Sequence, residues 1–304
     1  MYMDPSKGEN RYCNRKSIAG KLKGRELESL LHCVDGLFGI TRQSFEPNGE
    51  FQGTIFWLPL RQSPSDLSST VYTCDRVRNL LAALKTEAGP SMLLFLNTIE
   101  RVELFTRDDG RSVAVTEETF SVGVADDCLE AVRNERERFV SQVRRSGDGA
   151  ASAALPPEGF HCVTEVTMET KDHSQWPVVP QRETWLVCAF HAGQGDVSRE
   201  MSELCSHLKQ SYRPYVGVAA PLGRRGAFTG QVYCFLPLPQ GMRSPTGLPV
   251  NVHGYFALSQ NRRHLKWPSA DQLSHRESLE APLRWNCLLV EELLPKVYCR
   301  MLER

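Results

Sequence analysis

The stretch NVHGYFALSQNRRHLKW, Asn251 to Trp267, decides how this chain is read. Its first half is apolar and reads as a strand, with Gly254 marking a bulge or a close backbone approach. Its second half gathers Asn261, Arg262, Arg263, His264 and Lys266 at the strand's exit. Three explanations compete for those cations. They could form a loop that reaches a phosphate, a nucleic-acid patch, or a corner in which one arginine pairs with a carboxylate while the other covers apolar surface with its stem.

The bulk composition narrows the choice. Lys plus Arg equals Asp plus Glu, 36 against 36 in 304 residues, so no global field draws the chain to DNA, RNA or an anionic membrane. Backbone-driven nucleic-acid affinity needs many cations, and no other aromatic–basic interleaving supports the patch around Trp267. No apolar run approaches the roughly 18 to 20 residues that cross a bilayer. The first residues hold Lys7, Arg11, Arg15, Lys16, Lys21, Lys23 and Arg25 without an apolar core, which excludes a secretory signal and predicts a basic, poorly ordered tail over 1–30. The 10 cysteines contain no C-x-x-C pair. Cys188 in WLVCAF and Cys234 in VYCFL read as small buried hydrophobes, so reduced thiols and a cytosolic or nuclear compartment are expected.

Working outward, strand and helix patterns alternate loosely. ELESLLHCVDGLFGI is a short helical pattern, and Thr54 to Leu60 reads as a buried strand ended by Pro59. After the Pro/Ser-rich RQSPSDLSST, Val77, Leu80, Leu81 and Leu84 fall on one helix face, with Asp75 as the expected N-cap. IERVELFTRDDGRSVAVTEE predicts a hairpin turning at Asp109-Gly110. A second amphipathic helix carries Leu129, Val132, Phe139, Val140 and Val143, and a flexible loop is expected at 146–159. FHCVTEVTME, ETWLVCAF, YVGVAAPL, GQVYCFLPL and NVHGYFALS read as strands, with a helix bearing Met201, Leu204, Cys205 and Leu208 among them. The chain closes on a helical stripe of Leu288, Leu289, Leu293, Val297 and Met301, with Pro282 in a first-turn position and Pro295 kinking the helix. The class is mixed α/β.

Standard catalytic signatures are missing. No G-x-S-x-G elbow, phosphate loop or H-E-x-x-H helix occurs. His191 with Gly193 and Gly195 leaves a lone G-x-G, better read as a plain strand-to-helix turn than as a phosphate cradle. His161-Cys162 and Cys205-x-His207 are the nearest approach to metal ligands, but adjacent strand residues face opposite ways. No metal and no cofactor are assigned, and the chain is expected not to be an enzyme by itself.

Several blocks together resemble the sacsin family. LFGITRQSFEPNGEFQGTIFWLPLRQS is similar to the end of the nucleotide-binding domain in the large sacsin repeats, a domain related to the ninety-kilodalton heat-shock chaperone ATPase. VYTCDRVRNLLAALKTEAGPSMLLFLNTIERVEL resembles the opening of the companion region that follows it. YVGVAAPL, GQVYCFLPLP, TGLPVNVHGYFALSQNRRHLKW and RWNCLLVEELLPKVY resemble that region's second half. The resemblance implies a remnant of a GHKL-type ATPase sandwich over 31–62, then a middle-domain-like companion region over 63–304 with a C-terminal helix.

The ATP-binding helix with its Glu and Asn, the D-x-G-x-G turn and the glycine-rich lid of family members are absent from this chain. The expected function is therefore a non-catalytic module of a sacsin-type chaperone or co-chaperone. It would dock a nucleotide-binding domain and contact client or chaperone proteins in cytoplasmic protein quality control. The resemblance further implies client proteins and the seventy-kilodalton heat-shock system as partners, ATP only through a domain missing here, and either a fragment or truncated gene product or a companion-region protein without its own nucleotide site. Arg262 and Arg263 are the trans-acting phosphate contacts to be expected on it. The alternative is a nucleic-acid-associated scaffold using the basic N-terminus and the NRRHLKW segment.

Overall fold

The computed structural model describes residues 56, 60, 62–64, 66 and 68–304, except 88, 109–114, 148–154, 175, 208–212, 225–227 and 239–246. The expectations for the 1–30 tail, the helical pattern after it and the Asp109-Gly110 turn lie outside these residues, as does nearly all of 31–62. The chain divides into two compact units, 1–80 with 107–116, and 81–106 with 117–304.

Helix α1 (Cys74–Glu87) forms where the Val77/Leu80/Leu81/Leu84 spacing places it. Its cap is Thr73 rather than Asp75: the Thr73 hydroxyl accepts from the Arg76 N–H at 3.3 Å, and Asp75 pairs with Arg78 one turn on. Leu80, Leu81 and Leu84 remain exposed, so this stripe does not enter a core.

The larger unit is built on an eight-stranded sheet. Its strands are β1 (Arg101–Asp108), β2 (Val115–Val124), β3 (Phe160–Asp172), β4 (Gln181–His191), β5 (Tyr215–Pro221), β6 (Val232–Cys234), β7 (Leu236–Pro237) and β8 (Asn251–Gly254). The spatial order is β1-β2-β3-β4-β5-β8-β6-β7. β2 to β5 and β8 pair antiparallel in sequence, and β6 lies parallel to β8. The helices are α2 (Asp126–Gly147), α3 (Arg199–His207), the short α4 (Ala270–Leu273), α5 (Ala281–Leu288) and α6 (Leu294–Leu302).

Both faces of the central strands are buried, which is why β5 reads as an unbroken apolar run rather than an alternation. On one face Cys188, Phe190, Val216, Val218 and Val252 pack against Met201 of α3 and against Trp285, Leu289, Leu293 and Val297 near the C-terminus. On the other, Val122, Val166, Met168, Trp185 and Tyr233 pack against Val132 of α2 and the 3-10 turn ending at Leu93. The mixed α/β class expected from the sequence is the observed one. All five residues of the closing stripe are buried. Pro295 acts there through a π-helical turn, Leu289–Leu293, in which the Leu294 N–H reaches back to the Leu289 carbonyl. The extra residue in the turn absorbs the donor that proline lacks.

Two strand expectations need correction. GQVYCFLPL is not one strand: the chain folds back between β6 and β7 at Phe235, whose φ of 67° is left-handed. NVHGYFALS stays in the ladder only to Gly254. An added Cβ at Gly254 would meet the Phe256 ring at 3.0 Å, so the glycine makes room for a side chain rather than forming a bulge. Residues 155–159 are tied down. The Gln194 N–H donates to the Pro156 carbonyl at 2.7 Å, and the Gln194 amide donates to that of Leu155 at 3.0 Å.

The G-x-G after β4 is a plain turn. The Gly193 N–H is already bound by the Asp196 carboxylate at 2.9 Å, and Ser198 caps α3 by accepting from the Met201 N–H at 3.1 Å. Gly193 is required because an added Cβ would lie 2.3 Å from the Glu158 carbonyl carbon, whereas Gly195 faces open space. Gly193→Ala should therefore destabilise the fold by about 1–3 kcal/mol through overpacking. Gly195→Ala should change it by less than about 0.5 kcal/mol. Urea unfolding midpoints of the two variants check the contrast.

Candidate functional site

The segment after β8 carries the two arginines singled out in the sequence, and its geometry is set from the C-terminal helix. Chain 255–266 runs out and back as a narrow hairpin bridged at Leu258 and Leu265. The Lys266 N–H donates to the Ala257 carbonyl at 2.9 Å, and the Ser259 N–H to that of His264 at 2.8 Å. Asn286 of α5, fully buried, holds both limbs. Its Oδ1 accepts from the Ala257 N–H at 2.8 Å, and its Nδ2 donates to the carbonyls of Ala257 at 2.9 Å and Lys266 at 2.7 Å. The side-chain amide thus pairs with the Ala257 peptide as a neighbouring strand would. Trp285, also fully buried, adds its indole N–H to the Tyr255 carbonyl at 2.8 Å.

The tip is ordered by short polar side chains. The Ser259 hydroxyl donates to the Asn261 side-chain Oδ1 at 2.7 Å and accepts from the His264 N–H at 3.1 Å. Asn261 also accepts from the Arg263 N–H at 3.1 Å. Arg262 sits at φ 56°, a left-handed position that a non-glycine residue holds at some cost. Arg262, Arg263 and His264 are exposed. Among the described residues, neither guanidinium has a hydrogen-bonded or ion-paired partner, so the carboxylate-paired corner is not what forms. The expected exit corner is a clamped hairpin that presents two exposed cations.

Beside the tip lies an open groove of about 670 Å³, lined by Phe235, Leu236, Pro237, Tyr255 and Arg262 among others. It runs along β7, the edge of the sheet, where Phe235 and Leu236 are exposed. The Phe235 reversal is held from beneath by His253. The His253 Nδ1 lies 3.2 Å from the Phe235 N and 3.3 Å from the Tyr233 carbonyl oxygen. Burial lowers the His253 pKa to about 4, so the ring is neutral at pH 7.

The other sequence-level candidates are not brought together. The His161 ring stacks on Phe190 at 4.2 Å, while the Cys162 thiol turns to Thr164 at 3.4 Å on the opposite side of the strand. Among the described residues no group of three His, Cys, Asp or Glu side chains could hold a metal ion. Cys188 is buried, with its thiol pushed up to about 11 by burial, as expected of a small core hydrophobe. Sequence reading missed the clamp. Asn286 was passed over inside the apolar stripe, although a lone amide among Trp285, Cys287 and Leu288 is the kind of buried polar group that must find partners.

By comparison with known proteins the chain belongs to the sacsin family. Residues 3–118 match the family model described as a Sacsin domain. Over 277 residues the chain is 35% identical to human sacsin, an alignment covering 88% of this chain and 6% of that protein. The chain spans only that small share of the curated relative's length. No solved structure matches the chain. No helix among the described residues is long and apolar enough to cross a membrane.

Asn286→Leu should strand the Ala257 N–H and weaken the hairpin, at a cost of about 2–4 kcal/mol for the unsatisfied buried groups. Arg262→Gly should be neutral or stabilising by about 1 kcal/mol, because glycine holds the left-handed position without strain. Chemical denaturation of both variants measures the difference. His191 resembles His253 in that burial lowers its pKa to about 4, with the charge of Arg213 acting in the same direction. Both folded values lie below the unfolded value near 6.5, so the unfolded chain binds the extra protons and acid favours unfolding. Stability should be full above about pH 6.5 and fall as the pH drops towards 4. A profile without that acid slope would contradict neutral buried imidazoles.

Proposed function

The chain carries a sacsin-like region, and from that premise we propose that it is a non-catalytic module of a sacsin-type chaperone. In this reading it docks a nucleotide-binding domain and contacts client or chaperone proteins in protein quality control, with the seventy-kilodalton heat-shock system among its partners. Arg262 or Arg263 reaches the terminal phosphate of a nucleotide held by the docked domain, and the apolar groove along β7 receives part of that domain's surface. The observation that carries the reading is the clamped hairpin tip. Among the described residues its two guanidiniums have no hydrogen-bonded or ion-paired partner, and its base is fixed to α5 by Asn286. An arginine acting in trans needs both properties, a fork of donors not already engaged and a rigid support that sets its position.

The free thiols of the described cysteines fit a reducing compartment, and we place the protein in the cytoplasm on that ground. A nucleic-acid scaffold gains nothing from the fold. The exposed cations at the tip are few, and Trp267 is half-buried rather than presented for stacking.

Adding a sacsin nucleotide-binding domain to the chain and following ATP turnover tests the proposal. Arg262→Ala or Arg263→Ala should lower turnover by about 10³-fold, the lower end for an arginine finger. Unchanged turnover in both variants removes the phosphate contact. ATP hydrolysis by the chain alone would overturn its assignment as non-catalytic.

A further inference from the structure

On the opposite side of β8 from the C-terminal helices, a smaller cavity has no part in the hairpin reading. It holds about 110 Å³ and opens between α2 and the ends of β4, β5 and β8. Its walls are aromatic. Tyr215 meets Phe139 at 5.7 Å, Tyr255 at 5.6 Å and His253 at 5.3 Å between ring centres, and Phe235 stands 5.2 Å from Tyr255. Val140 and Val143 of α2 complete the apolar lining.

Among the polar groups of the lining, which include Asn97, two stand out. His191, at the end of β4, is only 6% exposed, yet its Nδ1 has no hydrogen-bond partner among the described residues. A buried nitrogen left unpaired costs stability unless something else meets it. Arg213 lies at the exposed rim, and among the described residues its guanidinium has no hydrogen-bonded or ion-paired partner. Its charge reaches both His191 and Tyr255. Arg136, half-buried on α2, adds a second positive charge near Tyr215. No carboxylate among the described residues lines the cavity.

From this juxtaposition we propose that the cavity binds a carboxylate carried on a compact apolar group, with the apolar part among Phe139, Val143, Tyr215 and Tyr255 and the carboxylate on Arg213, within reach of His191. The chemistry follows from the lining. A cation is repelled by Arg213, and a neutral apolar molecule leaves the buried His191 nitrogen unmet. A polyanion has too few partners. The volume limits the apolar part to a body no larger than benzene, since a cavity of about 150 Å³ accepts that ring. Two sources share this chemistry: a small free acid, and the C-terminal residue of a peptide whose side chain fills the cavity.

Titration calorimetry on the full chain with isovalerate, benzoate and a pentapeptide ending in leucine tests the site, with the corresponding amides as controls. At least one carboxylate should bind, free acids with Kd on the order of 1 mM given their few atoms. Tighter binding of the peptide identifies the C-terminal source, and binding of the free acids alone identifies a small molecule. The affinity should fall about tenfold or more in Arg213→Ala and in the amide controls, as expected for loss of a charged hydrogen bond. Val143→Phe, which plugs the cavity, should abolish binding, with its urea midpoint reporting that the fold is intact. Absence of binding by all three carboxylates overturns the proposal, as does equal affinity for acids and amides or indifference to Arg213→Ala. This cavity and the hairpin tip share neither arginine, so failure here leaves the phosphate contact untouched.

Discussion

The buried amide of Asn286 fixes the relation between helix α5 and the hairpin that follows β8. An amide in an apolar core is tolerated only if its donors and acceptor are met, and three backbone groups of one hairpin meet them. The consequence reaches in both directions. The hairpin gains a fixed base, so its tip can be a short turn of Ser259 and Asn261 rather than a long loop. Helix α5 gains a register, since only one rotation about its axis places Asn286 against Ala257 while Trp285 reaches Tyr255.

A second constraint acts at Phe235. The reversal between β6 and β7 forces a bulky residue into a left-handed conformation, and the imidazole of His253 occupies the space beneath it. Phe235 consequently borders both the open groove at the sheet edge and the aromatic cavity. The end of β8 and the residues after it thus border two different surfaces: His253 lines the cavity, Tyr255 lines both, and the hairpin beyond them lines the groove.

Much of this was legible in the sequence. The unbroken apolar run of β5, the hairpin strands flanking Asp109-Gly110 and the closing Leu288/Leu293/Val297/Met301 stripe all follow from periodicity, because burial on one or two faces is what periodicity records. What periodicity does not record is a change of direction without glycine or proline, which is why the fold-back at Phe235 read as a continuous strand. Nor does it record pairing between a helix side chain and a distant peptide, so Asn286 passed as one more position in a helix. Arg262 and Arg263 were found as charges, but their freedom from carboxylates depends on long-range geometry. His191 and Arg213 are close only because β4 ends where β5 begins, a relation visible in the sheet and not along the chain.

The central claim is that the arginine-bearing hairpin is a rigid projection of the core. Native-state amide hydrogen exchange at Ala257 tests it most directly. If the Asn286 clamp holds the hairpin's base, the Ala257 amide should exchange as slowly as the central amides of β5, opening only with global unfolding. Exchange at Ala257 as fast as at the exposed tip residue Arg263 would show that the hairpin opens locally, and the account of a fixed arginine platform would not stand.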